Sequence, residues 1–238
     1  MKKVLFIILV IATVQWWFSD PSITTNVQGV SFNYIVKYSE EGGDSDRLPM
    51  LVALHGNGDT PENFYKTALD QLQKPVRIIL IEGPVAHGRG HAWPWQQPDL
   101  DKFGMALNDA VNQLALKYPT DDKPSLLGFS GGGMMAYYQA LQHGNSYATV
   151  FSVSGQLNEQ LINNKIEPAE TVFAYHGTND SVISISGGRN AVSLLQSHGV
   201  TVFFTEFSGT HHGLFTNMKS EITRAIEQRI FGRLPDSQ

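Results

Sequence analysis

The 238-residue chain contains no cysteine. That excludes a thiol nucleophile, a cysteine-ligated metal, a disulfide framework and lipid attachment through a thiol. Charge is scarce as well: Asp, Glu, Lys and Arg make up 16% of residues and the formal net charge is −5. So little charge, with the acidic sign in excess, argues against a disordered chain and against a nucleic-acid partner. Internal repeats and linkers are also lacking. With 42% apolar residues the chain is long enough for one well-buried core and too short for two ordinary domains.

Residues 1–20 differ in kind from the rest. Lys2 and Lys3 precede an apolar run from Val4 to Ala12, continued by Val14, then Gln15 and the aromatic trio Trp16, Trp17 and Phe18. A charged start with a short apolar stretch fits a secretory signal, and the stretch is short for a spanning helix. No small-x-small cleavage site is visible, and paired tryptophans suit a membrane interface, so residues 4–18 also fit an uncleaved tether. A buried first element is the third alternative. The expectation is an exported protein, periplasmic or secreted, or one anchored by this segment, with residues 21–238 as a single domain.

From Val27 to Ser39 a mostly period-two pattern predicts a strand with one face covered. Met50–Leu54 is a continuous apolar run, the mark of a strand buried on both faces. Helical spacing over Glu62–Gln73, a buried strand at Val76–Ile81 and a helix over Asp101–Tyr118 follow. Further strands are expected at about 125–128, 148–153, 171–175 and 200–207, with helices between them and a last helix over Leu214–Phe231. Strands alternating with helices in this way predict a mostly parallel, doubly wound α/β sheet with helices on both faces. Sites in such sheets form at the carboxyl ends of the strands. His55, Ser130, Asp180 and His212 all stand just past an expected strand end.

Gly128-Phe129-Ser130-Gly131-Gly132 spells G-x-S-x-G between a strand and a helix. A serine on so sharp a turn leaves no room for side chains two positions away, and its hydroxyl stands clear of the backbone. A glycine-rich turn without chemistry is the alternative, and the strand–turn–helix context weighs against it. The Gly131 amide, at the start of the helix, would favour developing negative charge. His55-Gly56-Asn57-Gly58-Asp59, at another buried strand end, is where a second backbone donor would come from, most naturally the N–H of Asn57. A hydroxyl needs an adjacent base oriented by a carboxylate. Asp180 and then His212 supply these in chain order, although Asp180 also suits a helix cap. His211 and His212 cannot both face the serine, and Gly209 and Gly213 favour His212 at the tip of a tight turn. In the long loop from Glu82 to Leu100, His87 and His91 are too interrupted by glycine for metal ligation. Trp93 and Trp95 would floor an acyl pocket or cap the core.

Four segments together, Leu54–Thr60, Gly128–Gly132, His176–Asp180 and Gly209–His212, resemble the α/β-hydrolase superfamily. More narrowly the chain is similar to its phospholipase/carboxylesterase branch, related to acyl-protein thioesterases and dienelactone hydrolases, over about Val30–Phe231. The resemblance implies an α/β-hydrolase catalytic domain at 21–238, with Ser130 as nucleophile, Asp180 as acid, His212 as base and the Asn57 and Gly131 amides as the oxyanion hole. Trp93 and His55 are expected at the substrate. It implies a serine carboxylesterase acting on a small-molecule or lipid-like ester, with no cofactor and no metal. Thioesterase, lysophospholipase, feruloyl-type esterase and an inactive binding scaffold are the alternatives. Gly131 stands where the branch commonly carries a larger residue, and the loop around residues 87–95 is unusually rich in His and Trp.

Overall fold

The computed structural model describes residues 21–39, 42–120 and 122–232. The segment at 1–20, expected to be a signal or tether, lies outside the described residues. An eight-stranded sheet runs through the domain in the order β1-β2-β4-β3-β7-β8-β9-β10. Its strands are β1 (Ser22–Thr24), β2 (Ser31–Tyr38), β3 (Met50–Leu54), β4 (Arg77–Ile81), β7 (Ser125–Phe129), β8 (Val150–Val153), β9 (Thr171–Gly177) and β10 (Thr201–Phe207). Pairing is antiparallel at β1–β2 and β2–β4, and parallel from β4 through β10. A separate two-stranded hairpin, β5 (Val85–His87) and β6 (Gly90–Ala92), rises from the long loop.

Alternation along the strands divides the core in two. Met50, Val52 and Leu54 of β3 face one apolar cluster, and Leu51 and Ala53 face the other. All five are at most 2% exposed, each aliphatic side chain contributing about 1.5–3 kcal/mol by burial. The first cluster is closed by α2 (Asp99–Lys117), α3 (Gly131–Gln142) and α4 (Ile185–Ser197), the second by α1 (Pro61–Phe64) and α5 (Lys219–Phe231). This is the expected α/β-hydrolase architecture, with helices on both faces. From β3 the chain crosses to β4 on one side and then returns to β7 on the other. The carboxyl ends of β3 and β7 therefore flank the point where strand order reverses, the place where such sheets open a crevice.

Several elements depart from the sequence expectation. The strand expected from Val27 starts only at Ser31, because Gln28 (φ 50°) and Gly29 (φ 67°) turn the chain and lay β1 back against β2. The helix expected over Glu62–Gln73 is a short α1, capped by Thr60 and begun by Pro61, that widens into a π-turn over Tyr65–Leu69. In that turn the Thr67 hydroxyl donates to the Asn63 carbonyl at 2.8 Å. Arg77 is fully buried, and its guanidinium donates to the carbonyls of Pro119, Asp46 and Gly43 at 2.7, 2.7 and 3.1 Å. It thereby pins the polar loop before β3. Among the described residues, no helix is long and apolar enough to cross a membrane.

Candidate active site

At the end of β7 the chain turns sharply into α3. Ser130 has φ 53° and ψ −113°, a conformation that costs a non-glycine residue roughly 1–3 kcal/mol and persists only where the surroundings enforce it. They do so here. A Cβ on Gly128 would lie 2.0 Å from the Gly132 carbonyl oxygen, and one on Gly132 would lie 2.3 Å from the Leu54 carbonyl oxygen. The Ser130 N–H donates to Val153 O at 2.9 Å, and its carbonyl accepts the Met134 N–H of α3 at 2.9 Å. Locked from both sides, the hydroxyl projects over the strand edge.

His211 Nε2 lies 2.9 Å from Ser130 Oγ, and His211 Nδ1 lies 2.7 Å from Asp180 Oδ2. With Nδ1–H donating to the carboxylate, Nε2 is left as acceptor for the serine proton. Burial lowers the His211 pKa below the ordinary imidazole range, against the opposing pull of Asp180, and a positive His212 lowers it further. The ring is thus biased toward its neutral form, the one that can accept a proton. Asp180 is buried, and its Oδ1 accepts the N–H groups of Val182 and Ile183, each at 2.8 Å. One oxygen thus closes the turn at Val182 and Ile183 while the other meets the imidazole; the helix cap expected of Asp180 is supplied instead by Ser184, whose side chain accepts the Ser186 N–H. His176, wholly buried, places Nε2 2.9 Å from Ile183 O and 3.3 Å from Asp180 Oδ2. Its Nδ1 has no partner among the described residues, so Nε2 is the ring nitrogen that meets the Ile183 carbonyl and the Asp180 carboxylate.

The base loop is held by Ser154, which takes φ 51° at the end of β8 and donates Oγ–H to the His211 carbonyl at 3.0 Å. Asn179 N–H donates to Gly209 O, and Thr178 N–H to Phe207 O, both at 2.9 Å, lacing the ends of β9 and β10 together. No motif in the sequence marked Ser154. Its signal was only that a Ser-Gly pair closes a buried strand.

Three expected site residues are placed elsewhere. His212, expected as the base, is exposed, and among the described residues its ring makes no hydrogen bond. It lines the cleft, edge-on to His211 with ring centroids 5.1 Å apart. The physical reason lies in the glycines. Gly209 and Gly213 are required by the Phe207 ring, which a Cβ at either position would approach to 2.7 or 2.3 Å. They bring the chain down onto that ring, so that His211 turns inward and His212 outward. His55, expected at the substrate, is 1% exposed: its Nδ1–H donates to Gly56 O at 2.7 Å and its Nε2 accepts the Gly83 N–H at 3.0 Å. Burial keeps its pKa low. Trp93 is also 1% exposed, with Nε1–H donated to the His55 carbonyl at 2.9 Å. These two brace the loop from behind, and Trp95, 61% exposed, is the tryptophan that lines the cleft.

Asn57 and Gly131 do meet at the cleft, where the first residues of α3 leave N–H groups without helical partners. The cleft encloses about 780 Å³ over Ser130 and His211. Its lining combines apolar side chains, Trp95, Met134, Val182 and Phe215, with polar ones, Asp59, Asn63 and Thr67. His91 pairs with Glu82 at 3.1 Å, and among the described residues no three His, Asp or Glu side chains group as metal ligands. Chemically the arrangement can activate a hydroxyl beside main-chain donors under an amphipathic cleft.

A model of the Phospholipase/Carboxylesterase family matches residues 106–230, more than half of the chain. Lysophospholipase-like protein 1 of Mus musculus is 24% identical over 211 residues, covering 78% of this chain and 87% of its own. Among solved structures, the Bacillus cereus carboxylesterase superimposes with a TM-score of 0.68 at 17% identity, over 83% of this chain and 94% of that one. Zea mays acyl-protein thioesterase 2 does so with a TM-score of 0.65 at 20% identity, over 83% and 99%.

Proposed function

The chain belongs to the phospholipase/carboxylesterase family of hydrolases, and from that premise we propose that it is a serine hydrolase cleaving carboxylic esters through an acyl-enzyme on Ser130. The observation that carries the reading is the continuous relay from Ser130 Oγ through His211 to Asp180, at 2.9 and 2.7 Å, at the strand-order reversal of the sheet.

In the proposed cycle Ser130 Oγ attacks the ester carbonyl carbon while its proton passes to His211 Nε2. The carbonyl oxygen becomes an oxyanion and takes hydrogen bonds from the Asn57 and Gly131 N–H groups. Asp180 holds the imidazole and stabilises its positive form without accepting the proton. Collapse breaks the carbon–alkoxy bond, and the leaving oxygen takes the proton from His211. A water then gives a proton to His211 as it attacks the acyl carbon, and the second collapse returns that proton to Ser130 and frees the acid. The apolar lining residues Trp95, Met134 and Val182 suit a hydrocarbon part of the substrate.

Ser130→Ala should abolish turnover of a short p-nitrophenyl ester while leaving the melting temperature at or above that of the parent, since the substitution removes no core contact. Retained turnover in that variant would end the proposal. Esters and thioesters of one acyl chain, compared at equal concentration, separate the carboxylesterase reading from the thioesterase one.

A further inference from the structure

Position 131, directly after the nucleophile, has no side chain, and a neighbour fills the vacated space. A Cβ on Gly131 would lie 2.1 Å from Oδ1, 2.6 Å from Cγ and 3.0 Å from Nδ2 of Asn57. The Asn57 carboxamide thus occupies the volume that any side chain at 131 would need. Its orientation is set from behind, because the Trp93 main-chain N–H donates to Oδ1 at 3.1 Å. Reversing the amide would set an NH₂ against an N–H, so this bond fixes the orientation of the carboxamide. Trp93 is itself held by burial and by its bond to the His55 carbonyl. The acceptor end of the carboxamide is therefore taken. Its NH₂ is free of any acceptor among the described residues, and Asn57 is exposed at the cleft wall beside Ser130 and Gly131.

An oriented pair of N–H donors with no acceptor of its own among the described residues, on a residue that lines the same cleft as Ser130, is a recognition element. We propose that the Asn57 side chain, beyond the role of its backbone amide, selects esters that carry a hydrogen-bond acceptor oxygen two to four bonds from the scissile carbonyl carbon. It stands where a side chain at 131 would otherwise touch the substrate. This rests on the reaction proposed above. The acceptor can belong to the acyl part, as in a 2-alkoxyacyl group, or to the alcohol part, as in a 2-alkoxyethyl ester. The chemistry is the same, and the two sources are separable by experiment.

The experiment compares isosteric pairs: methoxyacetate against butyrate with one leaving group, and 2-methoxyethyl against butyl ester with one acyl group. Each kcat/KM is divided by the rate of hydroxide-catalysed hydrolysis. The parent should favour the oxygen-bearing member of at least one pair by about 3- to 10-fold, the effect of one neutral hydrogen bond. Asn57→Leu, similar in shape but without donors, should erase that preference whatever loss both esters share. Gly131→Ala, which displaces the carboxamide, should also erase it, and should cost far less activity when added to Asn57→Ala than to the parent. Melting temperatures identify a variant that fails to fold, and the other variant then decides. An unchanged ratio in a folded, Ser130-dependent enzyme overturns this inference alone. Parent protein without Ser130-dependent turnover of any of the four esters overturns the proposed reaction and this inference with it.

Discussion

The adjacent histidines at 211 and 212 give the sharpest test of how geometry makes the chemistry. His211→Gln removes the ring that lies 2.9 Å from Ser130 Oγ and breaks the 2.7 Å bond to Asp180 Oδ2. In a serine triad the loss of the base alone lowers kcat by about 10⁴- to 10⁶-fold. His212→Gln removes a cleft-lining ring that bonds neither group, and the expected loss is within about tenfold, mostly in KM. The pH profile adds a second signature. His211 acts only when neutral, and burial, followed by the nearby positive form of His212, holds its pKa below the ordinary 6.5. The acid limb of kcat/KM in the parent should therefore have its midpoint below pH 6.5. Without the charge at 212 the His211 pKa rises, so the limb should move to higher pH in His212→Gln. Steady-state kinetics from pH 4.5 to 8 on both variants decide the matter. Full activity in His211→Gln, or total loss in folded His212→Gln, would refute the reasoning.

Other consequences follow from the same contacts. Gly128→Ala places a methyl group 2.0 Å from the Gly132 carbonyl, backbone that cannot yield without moving the elbow. A stability loss of about 3 kcal/mol or more, read by denaturant unfolding, is expected together with loss of turnover. Ser154→Ala deletes the 3.0 Å bond to the His211 carbonyl, and kcat should fall about tenfold with KM little changed. Stability should also depend on pH. His55, His143 and His211 each have a folded-state pKa lowered first by burial, so between those values and 6.5 the unfolded chain binds more protons. Their contribution is complete above pH 6.5 and is lost as pH falls through the folded values. Thermal melts at pH 7.5, 6.0 and 5.0 should fall in that order.

Those parts of the site that are fixed by backbone geometry were legible in the sequence. The elbow admits only glycine at 128 and 132, so its pattern survives any change in the surrounding side chains, and strand–helix alternation placed Ser130, Asp180 and the histidine pair on one rim. The orientation of individual rings was not legible. Neighbouring residues 211 and 212 share the same local sequence, and the choice between them is made by Phe207, whose ring demands the two glycines. His55 and Trp93 carry chemistry-bearing groups, yet both spend them on main-chain atoms of neighbouring loops, a long-range pairing that no local spacing announces. The β5–β6 hairpin stayed hidden because its three-residue strands are too short to show a period. Asp180 was ambiguous because a carboxylate has two acceptors: one meets His211 and the other closes the turn at Val182 and Ile183, while the helix cap falls to Ser184.

The account stands on Ser130 Oγ being the atom that becomes acylated. Intact-mass measurement after treatment with a fluorophosphonate, followed by peptide mapping, reads that atom directly. One phosphonyl adduct on Ser130 in the parent, none in Ser130→Ala, and greatly slowed labelling in His211→Gln are expected. An unlabelled parent, or an adduct on another residue that persists in Ser130→Ala, would contradict it.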